Sequence, residues 1–225
     1  MLKKESITSV EMHSDAWYAG RLGKFSSSMI HTLMGKTPDT DGAKTYIMER
    51  VGEELSGEPA KREIDTDATR WGLLYENEAI KKFGVVMGLD FLIVQKLIIV
   101  PETRFSSTPD ALIVRKEYGD AYDVSSVEVK CFPSYGHYIE CALCNTPEEL
   151  KKVDSRVFWQ ILDQMDNCDC LTGYGVFYHP SMRAGGFKVI EFKKINLLQD
   201  LKLLKERKNL AVNKFEEIRD KMLTI

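Results

Sequence analysis

Two short segments of this 225-residue chain hold residue types that could act together on a phosphodiester: Ser107-Thr108-Pro109-Asp110-Ala111-Leu112 and Val127-Glu128-Val129-Lys130. Read as partner strands of a hairpin, they set an Asp, a Glu and a Lys side by side. Side chains alternate across a strand, so Glu128 and Lys130 share one face and Val127, Val129 and Cys131 the other. The valines read as core, which sends Glu128 and Lys130 towards a cleft or solvent, while pairing brings Asp110 near Glu128. Two carboxylates that close repel unless a cation lies between them, so Mg²⁺ or Mn²⁺ is the natural resolution. The backbone carbonyl of Val129 could complete an oxygen shell. Lys130 would orient or help deprotonate an attacking water and offset charge building on the phosphate.

Glu-x-Lys alone is common, and Glu149-Leu150-Lys151, Glu191-Phe192-Lys193 and Glu206-Arg207-Lys208 repeat it. The first and last fall on expected helices, where residues two apart diverge. The second lacks a Pro-Asp strand just ahead of it. The bland reading of Glu128 and Lys130 is a solvated strand face; Pro109-Asp110 at the start of the partner strand sets this copy apart.

The elements that must position these residues follow from patterning. Strands are expected over 91–100, 111–114 and 124–131, with turn chemistry at 116–120 making an antiparallel hairpin. Three helices are expected ahead of it: one following Ser26-Ser27-Ser28, one over about 43–55 and one over 67–87. Loops are expected at 35–43 and 56–66. A helix over about 147–167, strands at 174–178 and 187–192, and a long amphipathic helix over 197–223 complete the chain. The expected fold class is α/β, a central mixed sheet flanked by helices, in a single domain over 1–225. A net charge of −3 argues against an extended non-specific DNA coat and leaves room for a local groove. No apolar run reaches membrane-spanning length, no secretory signal opens the chain, and five cysteines then point to reduced thiols in a cytoplasmic protein.

An ordered series of motifs spans nearly the whole chain: Arg21-Leu22-Gly23 then Ser26-Ser27-Ser28; Trp71-Gly72 with Tyr75-Glu76; the Thr108-Pro109-Asp110 segment; Glu128-Val129-Lys130; Gln160; and Phe177-Tyr178-His179-Pro180-Ser181-Met182 with Val189-Ile190-Glu191. In this series the chain resembles the bacteriophage lambda-type exonucleases, the YqaJ-like viral recombinase group of the PD-(D/E)XK nuclease superfamily. The resemblance implies a restriction-endonuclease-like core and a Mg²⁺-dependent exonuclease, with Mn²⁺ as a substitute and two ions in the site. It would digest one strand of duplex DNA from a 5′-phosphorylated end to mononucleotides, leaving a 3′ overhang for recombination. Asp110, Glu128 and Glu76 would ligate metal, with Lys130 beside the nucleophilic water. Arg21, Ser28, Thr108 and Gln160 would bind the terminal 5′-phosphate, as arginine forks and helix-opening hydroxyls suit phosphate. Ser26, Thr69 and Arg70 are possible contacts to the DNA end. A homotrimeric ring and a phage single-strand annealing protein as partner are implied too. Departures are Thr108 where Ser is usual, no Tyr three residues before Gln160, and Thr69-Arg70 where an apolar wedge can stand.

Other features read more plainly. Cys141-x-x-Cys144 and Cys168-x-Cys170 are irregularly spaced for zinc and read as thiols. His13, His31, His137 and His179 show no pairing in the sequence. Lys202, Lys205, Arg207 and Lys208 read as a solvated helix face, and Trp17 and Tyr18 as core. Rival readings are another nuclease of the same fold (repair, restriction or single-strand-specific) or a catalytically silent DNA-binding protein.

Overall fold

The computed structural model describes residues 1–8, 10, 14–60, 66–89, 92–100 and 103–225. The strands are β1 (Leu2–Lys3), β2 (Phe25–Ser26), β3 (Leu92–Val94), β4 (Ile98–Ile99), β5 (Phe105–Ser107), β6 (Ala111–Tyr118), β7 (Ala121–Cys131), β8 (Thr172–Tyr178) and β9 (Phe187–Lys193). The helices are α1 (Asp15–Arg21), α2 (Asp41–Ser56), α3 (Asp67–Met87), α4 (Tyr135–Ala142), α5 (Pro147–Val153), α6 (Ser155–Asn167) and α7 (Leu198–Met222). The main sheet runs β3-β6-β7-β8-β9, with β1 on β7. Only β7–β8 is parallel within it, bridged by α4 to α6, so the sheet is mixed as expected. A small sheet, β2-β5-β4, stands apart.

The sheet is covered on both faces. On one, Ala79, Ile80 and Phe83 of α3 pack on Ala111, Ile113, Val127, Val129, Cys131, Tyr174, Val176 and Tyr178. On the other, the larger core gathers Phe158, Ile161 and Leu162 of α6 with Leu112, Phe177 and Phe192 and with side chains of α2 and α7. The alternation of β7 thus turns Val127, Val129 and Cys131 towards α3 and leaves Glu128 on the α6 side.

Local chemistry sets the helix ends. Thr66 accepts from the Thr69 N–H to cap α3, and Gly88 closes it at φ 62°, a left-handed value glycine adopts without strain. Asp154 caps α6 by accepting from the Arg156 and Val157 N–H groups. That cap divides the helix expected over 147–167 into α5 and α6. The serine run opens a 3₁₀ segment, Ser27–Leu33, rather than an α-helix. The strand expected over 91–100 is two strands in different sheets, because Gln95 takes φ 50° between them. The helix α1 was not among the three expected ahead of the hairpin, nor was α4 expected after it. Residues 61–65 of the second expected loop, Phe91 and His13 lie outside the described residues. Among the described residues no helix is long and apolar enough to cross a membrane.

Candidate active site

Glu128 is 3 % exposed, a buried carboxylate that must be satisfied to be stable. Gln164 Nε2 donates to its Oε2 at 2.6 Å, and Gln160 Nε2 and Lys130 Nζ donate to its Oε1, the latter at 2.6 Å. The glutamines stand four apart on α6 and so share a face. They reach the carboxylate because α6 lies tightly on the sheet: Glu128 pairs with Gly175 of β8, and a Cβ there would meet Ile161 Cδ1 at 2.9 Å. At neighbouring Gly173 a Cβ would come within 2.6 Å of Met165. Two glycines in β8 therefore set the approach of the helix that binds Glu128.

Asp110 sits just ahead of β6, whose first pair is Ala111 with Val127, so the register brings it beside Glu128. Its Oδ2 accepts from the Val129 N–H at 2.6 Å. Burial, then Glu128 and Glu76, raises the Asp110 carboxyl well above its usual range, against the pull of Lys130. Burial opposes the charge on Lys130, but Glu128, Asp110 and Glu76 outweigh it and raise its pKa. Glu76, on α3, accepts from Gln95 Nε2 at 2.5 Å. Gln95 also donates its backbone N–H to the Asp110 carbonyl at 3.1 Å. A non-glycine residue in the left-handed region is costly, and here it ties Glu76 to the Asp110 segment. Three acidic side chains with shared electrostatics offer an all-oxygen donor set suited to a hard divalent cation. Ser106 Oγ and Gln164 Oε1, which belong to residues of the same cleft, are buried with no partner among the described residues.

Asp110, Glu76 and the two glutamines open on one cleft of about 210 Å³. Its walls include Glu76, Asp110, Gln160 and Gln164 and also Arg21, Ser26, Ser28 and Thr108. The structure thus brings two of the expected metal ligands, Glu76 and Asp110, and the expected phosphate-binding residues to one space, with Glu128 held behind it by Gln160 and Gln164. Arg21 lies with its guanidinium 4.0 Å from the Trp17 ring centre, at the end of α1. Arg21, Ser26 and Ser28 also line an adjoining cleft with Arg50 and Tyr46. Thr69 and Arg70 stand on the first turn of α3, where Arg70 pairs with Asp67 at 2.6 Å, and are not among the residues lining the cleft. Leu73 lines it instead, 48 % exposed and one helical turn before Glu76. Leu73, Gln95 and Gln164 are the residues that sequence reasoning missed. The three- and four-residue spacings of Leu73 to Glu76 and Gln160 to Gln164 were the available signals. Nothing in the sequence marks Gln95.

Behind the cleft, α6 carries a second polar set. Ser27 Oγ donates to Asp163 Oδ2 at 2.7 Å, and Asn167 Nδ2 donates to Asp163 Oδ2 at 3.0 Å and to Ser107 Oγ at 2.8 Å. Lys208 of α7 is buried among them, with Nζ 2.8 Å from Asp163 Oδ1, 2.9 Å from Asp166 Oδ2 and 2.8 Å from Asn167 Oδ1. The expectation of a solvated face thus fails for Lys208, whose charge is taken up by two aspartates on another helix. Two histidines have neighbours that the sequence did not show: His137 Nε2 lies 3.0 Å from Asp154 Oδ2, and the His179 ring stacks on Tyr135. All five cysteines are buried free thiols.

The sequence model of the YqaJ-like viral recombinase domain matches residues 16–174. An alkaline exonuclease from Laribacter hongkongensis superposes with a TM-score of 0.69 at 20 % identity, over 94 % of this chain and 99 % of its own. A phage-related exonuclease from Haemophilus somnus 129PT superposes with a TM-score of 0.63 at 19 % identity, over 88 % and 96 %. These likenesses show the fold, which is of the PD-(D/E)XK type. No curated protein matches the chain.

Proposed function

Because the chain belongs to the YqaJ-like viral recombinase family, we propose that it is a Mg²⁺-dependent exonuclease. It would degrade one strand of linear duplex DNA from a 5′-phosphorylated end, release mononucleotides and leave a 3′ overhang for phage-type recombination. The observation that carries the reading is the shared cleft: carboxylates suited to a divalent cation and an Arg-Ser-Thr group suited to a phosphate line the same small space. The Laribacter hongkongensis exonuclease, of the same fold, is known in complex with dAMP, a mononucleotide of the kind this reaction would release.

Asp110, Glu128 and Glu76 would hold Mg²⁺, or Mn²⁺ in its place, with two ions in the site. When bound, the ion supplies Lewis-acid polarisation of the phosphoryl oxygen and lowers the pKa of water at the site. The chain's own groups do the rest. Gln160 and Gln164 fix the Glu128 carboxylate in one orientation, and Asp110 is fixed by the Val129 N–H. Lys130, held by Glu128, would orient or help deprotonate the attacking water and offset charge building on the phosphate. Arg21, Ser28, Thr108 and Gln160 bind the terminal phosphate and so set the register, placing the cut one nucleotide in, whatever the sequence. Ser26, Thr69 and Arg70 contact the end more loosely, and a homotrimeric ring working with a single-strand annealing protein in the cytoplasm fits the same role.

The test is digestion of linear duplexes bearing 5′-phosphate or 5′-hydroxyl ends, with and without Mg²⁺, beside a closed circle. Mg²⁺-dependent release of mononucleotides from the phosphorylated linear duplex is expected. Cutting of the closed circle would sink the exonuclease reading, and Lys130→Ala hydrolysing at the unaltered rate would sink the site assignment.

A further inference from the structure

The turn of α4 that follows β7 carries a cluster with no part in the carboxylate cleft. His137 and Cys141 are four apart on one face of α4, and Asp154, the cap of α6, meets them from the other side. One ligand atom from each lies within 4.8 Å of the other two. Cys141 is fully buried, and the side chains of Asp154 and His137 are 3 % and 30 % exposed. From this geometry we infer that His137, Cys141 and Asp154 form a Zn²⁺ site joining α4 to the start of α6.

The donor types decide the metal. One imidazole nitrogen, one thiolate and one carboxylate suit zinc, which takes nitrogen and sulfur at about 2.0–2.3 Å in a tetrahedron, whereas magnesium demands oxygen. Ligand atoms on such a tetrahedron lie about 3.3–3.8 Å apart, and the three here already lie within 4.8 Å of one another. His137 Nε2 and Asp154 Oδ2 are now 3.0 Å apart, joined by a proton. Zinc would take the place of that proton. The supporting contacts a ligand set needs are present as well. Asp154 Oδ1 is held by the Arg156 and Val157 N–H groups, leaving Oδ2 for the ion. The other imidazole nitrogen of His137 faces Glu140 Oε2 at 3.7 Å, the usual outer partner of a zinc-bound histidine. Phe132 packs edge-on against the imidazole at 4.3 Å and limits its rotation. The fourth position falls to water.

Cobalt reports this site directly, because a cysteine thiolate bound to Co²⁺ gives an intense near-ultraviolet charge-transfer band that an all-oxygen site cannot give. The full chain, freed of metal and titrated with CoCl₂, is expected to develop this band to one equivalent and to lose it when ZnCl₂ is added. Cys141→Ser, which keeps size and fold, should abolish the band, while Cys144→Ala and Cys168→Ala keep it. Glu140→Gln should weaken Zn²⁺ binding about tenfold, the low end for an outer partner, since Glu140 is exposed. No thiolate band in the unaltered protein, or a band lost in Cys144→Ala and kept in Cys141→Ser, overturns the inference. Both outcomes are independent of nuclease activity.

Discussion

Replacing Lys208 by Met separates a buried charge network from an ordinary helix face. Met nearly matches the volume of the lysine stem, so the packing cost is under about 1.5 kcal/mol. What is lost is the cation between Asp163, which is 0 % exposed, and Asp166. Removing one partner of a buried ion pair costs about 3–5 kcal/mol, because the remaining charge is stranded, whereas an exposed lysine would cost at most about 0.5 kcal/mol. Urea unfolding reads the difference. With a slope of about 3 kcal/mol per molar, near the top of the usual range for a chain of this size, the midpoint should fall by about 1 M or more. The second variant, Asp163→Asn with Lys208→Met, removes a stranded charge and should recover part of the loss, as coupled neighbours do not add. A fall worth less than about 1 kcal/mol, or a double variant less stable than the single one, refutes the network. The same variants should bind DNA ends less tightly, because Asp163 and Asn167 hold Ser27 and Ser107 beside the cleft.

Acid and base should each loosen this network. Burial opposes the charge on Asp166, but Lys208 and Lys205 override it and lower its pKa below 3.8, so its contribution is present above that value and fades as pH falls through the folded pKa. Lys208 is raised above 10.5 against its burial, so its contribution is whole below that value and fades as pH rises through the folded pKa. The gap in urea midpoint between the unaltered chain and Lys208→Met should therefore be widest between about pH 5 and 9; a gap that stays constant down to pH 3 contradicts this. Gly175→Ala sets a Cβ 2.9 Å from Ile161 Cδ1 and should cost about 1–3 kcal/mol by overpacking, with a larger fall in kcat than in end binding, since α6 must lift from Glu128. Equal melting temperatures for this variant and the unaltered chain would refute the tight approach. Arg21→Ala should cost roughly ten- to a hundredfold in kcat/KM on 5′-phosphorylated ends, the range for hydrogen bonds to a charged group, and far less on 5′-hydroxyl ends; equal losses on both would remove Arg21 from the phosphate group.

What could be read from the sequence was what is encoded locally. The bounds of α3 were legible because a threonine cap and a left-handed glycine mark its ends, and the β6–β7 hairpin because polar turn residues separate alternating strands. The pairing of Asp110 with Glu128 followed from that hairpin. The readings failed where a distant element decides. Lys208 looks like any exposed lysine until α6 supplies its aspartates, and no pattern of i and i+4 on α7 reveals that. Asp154 reads as one more helical residue because its cap bonds use the backbone, and its histidine comes from α4. Gln95 interrupts an apolar run, and only the positions of Glu76 and the Asp110 carbonyl show why a left-handed residue stands there.

The burial of Lys208 also bears on the order in which the molecule comes into being. Its partners are 41 to 45 residues earlier in the chain, and the Ser27 they hold is earlier by a further 136. During synthesis the cleft walls therefore exist as polypeptide well before the cation that neutralises Asp163. A chain stopped short of α7 would have to bury that carboxylate bare. Completion of the cleft thus waits on α7, made well after the cleft walls, and a product interrupted before it should be unable to assemble the cleft.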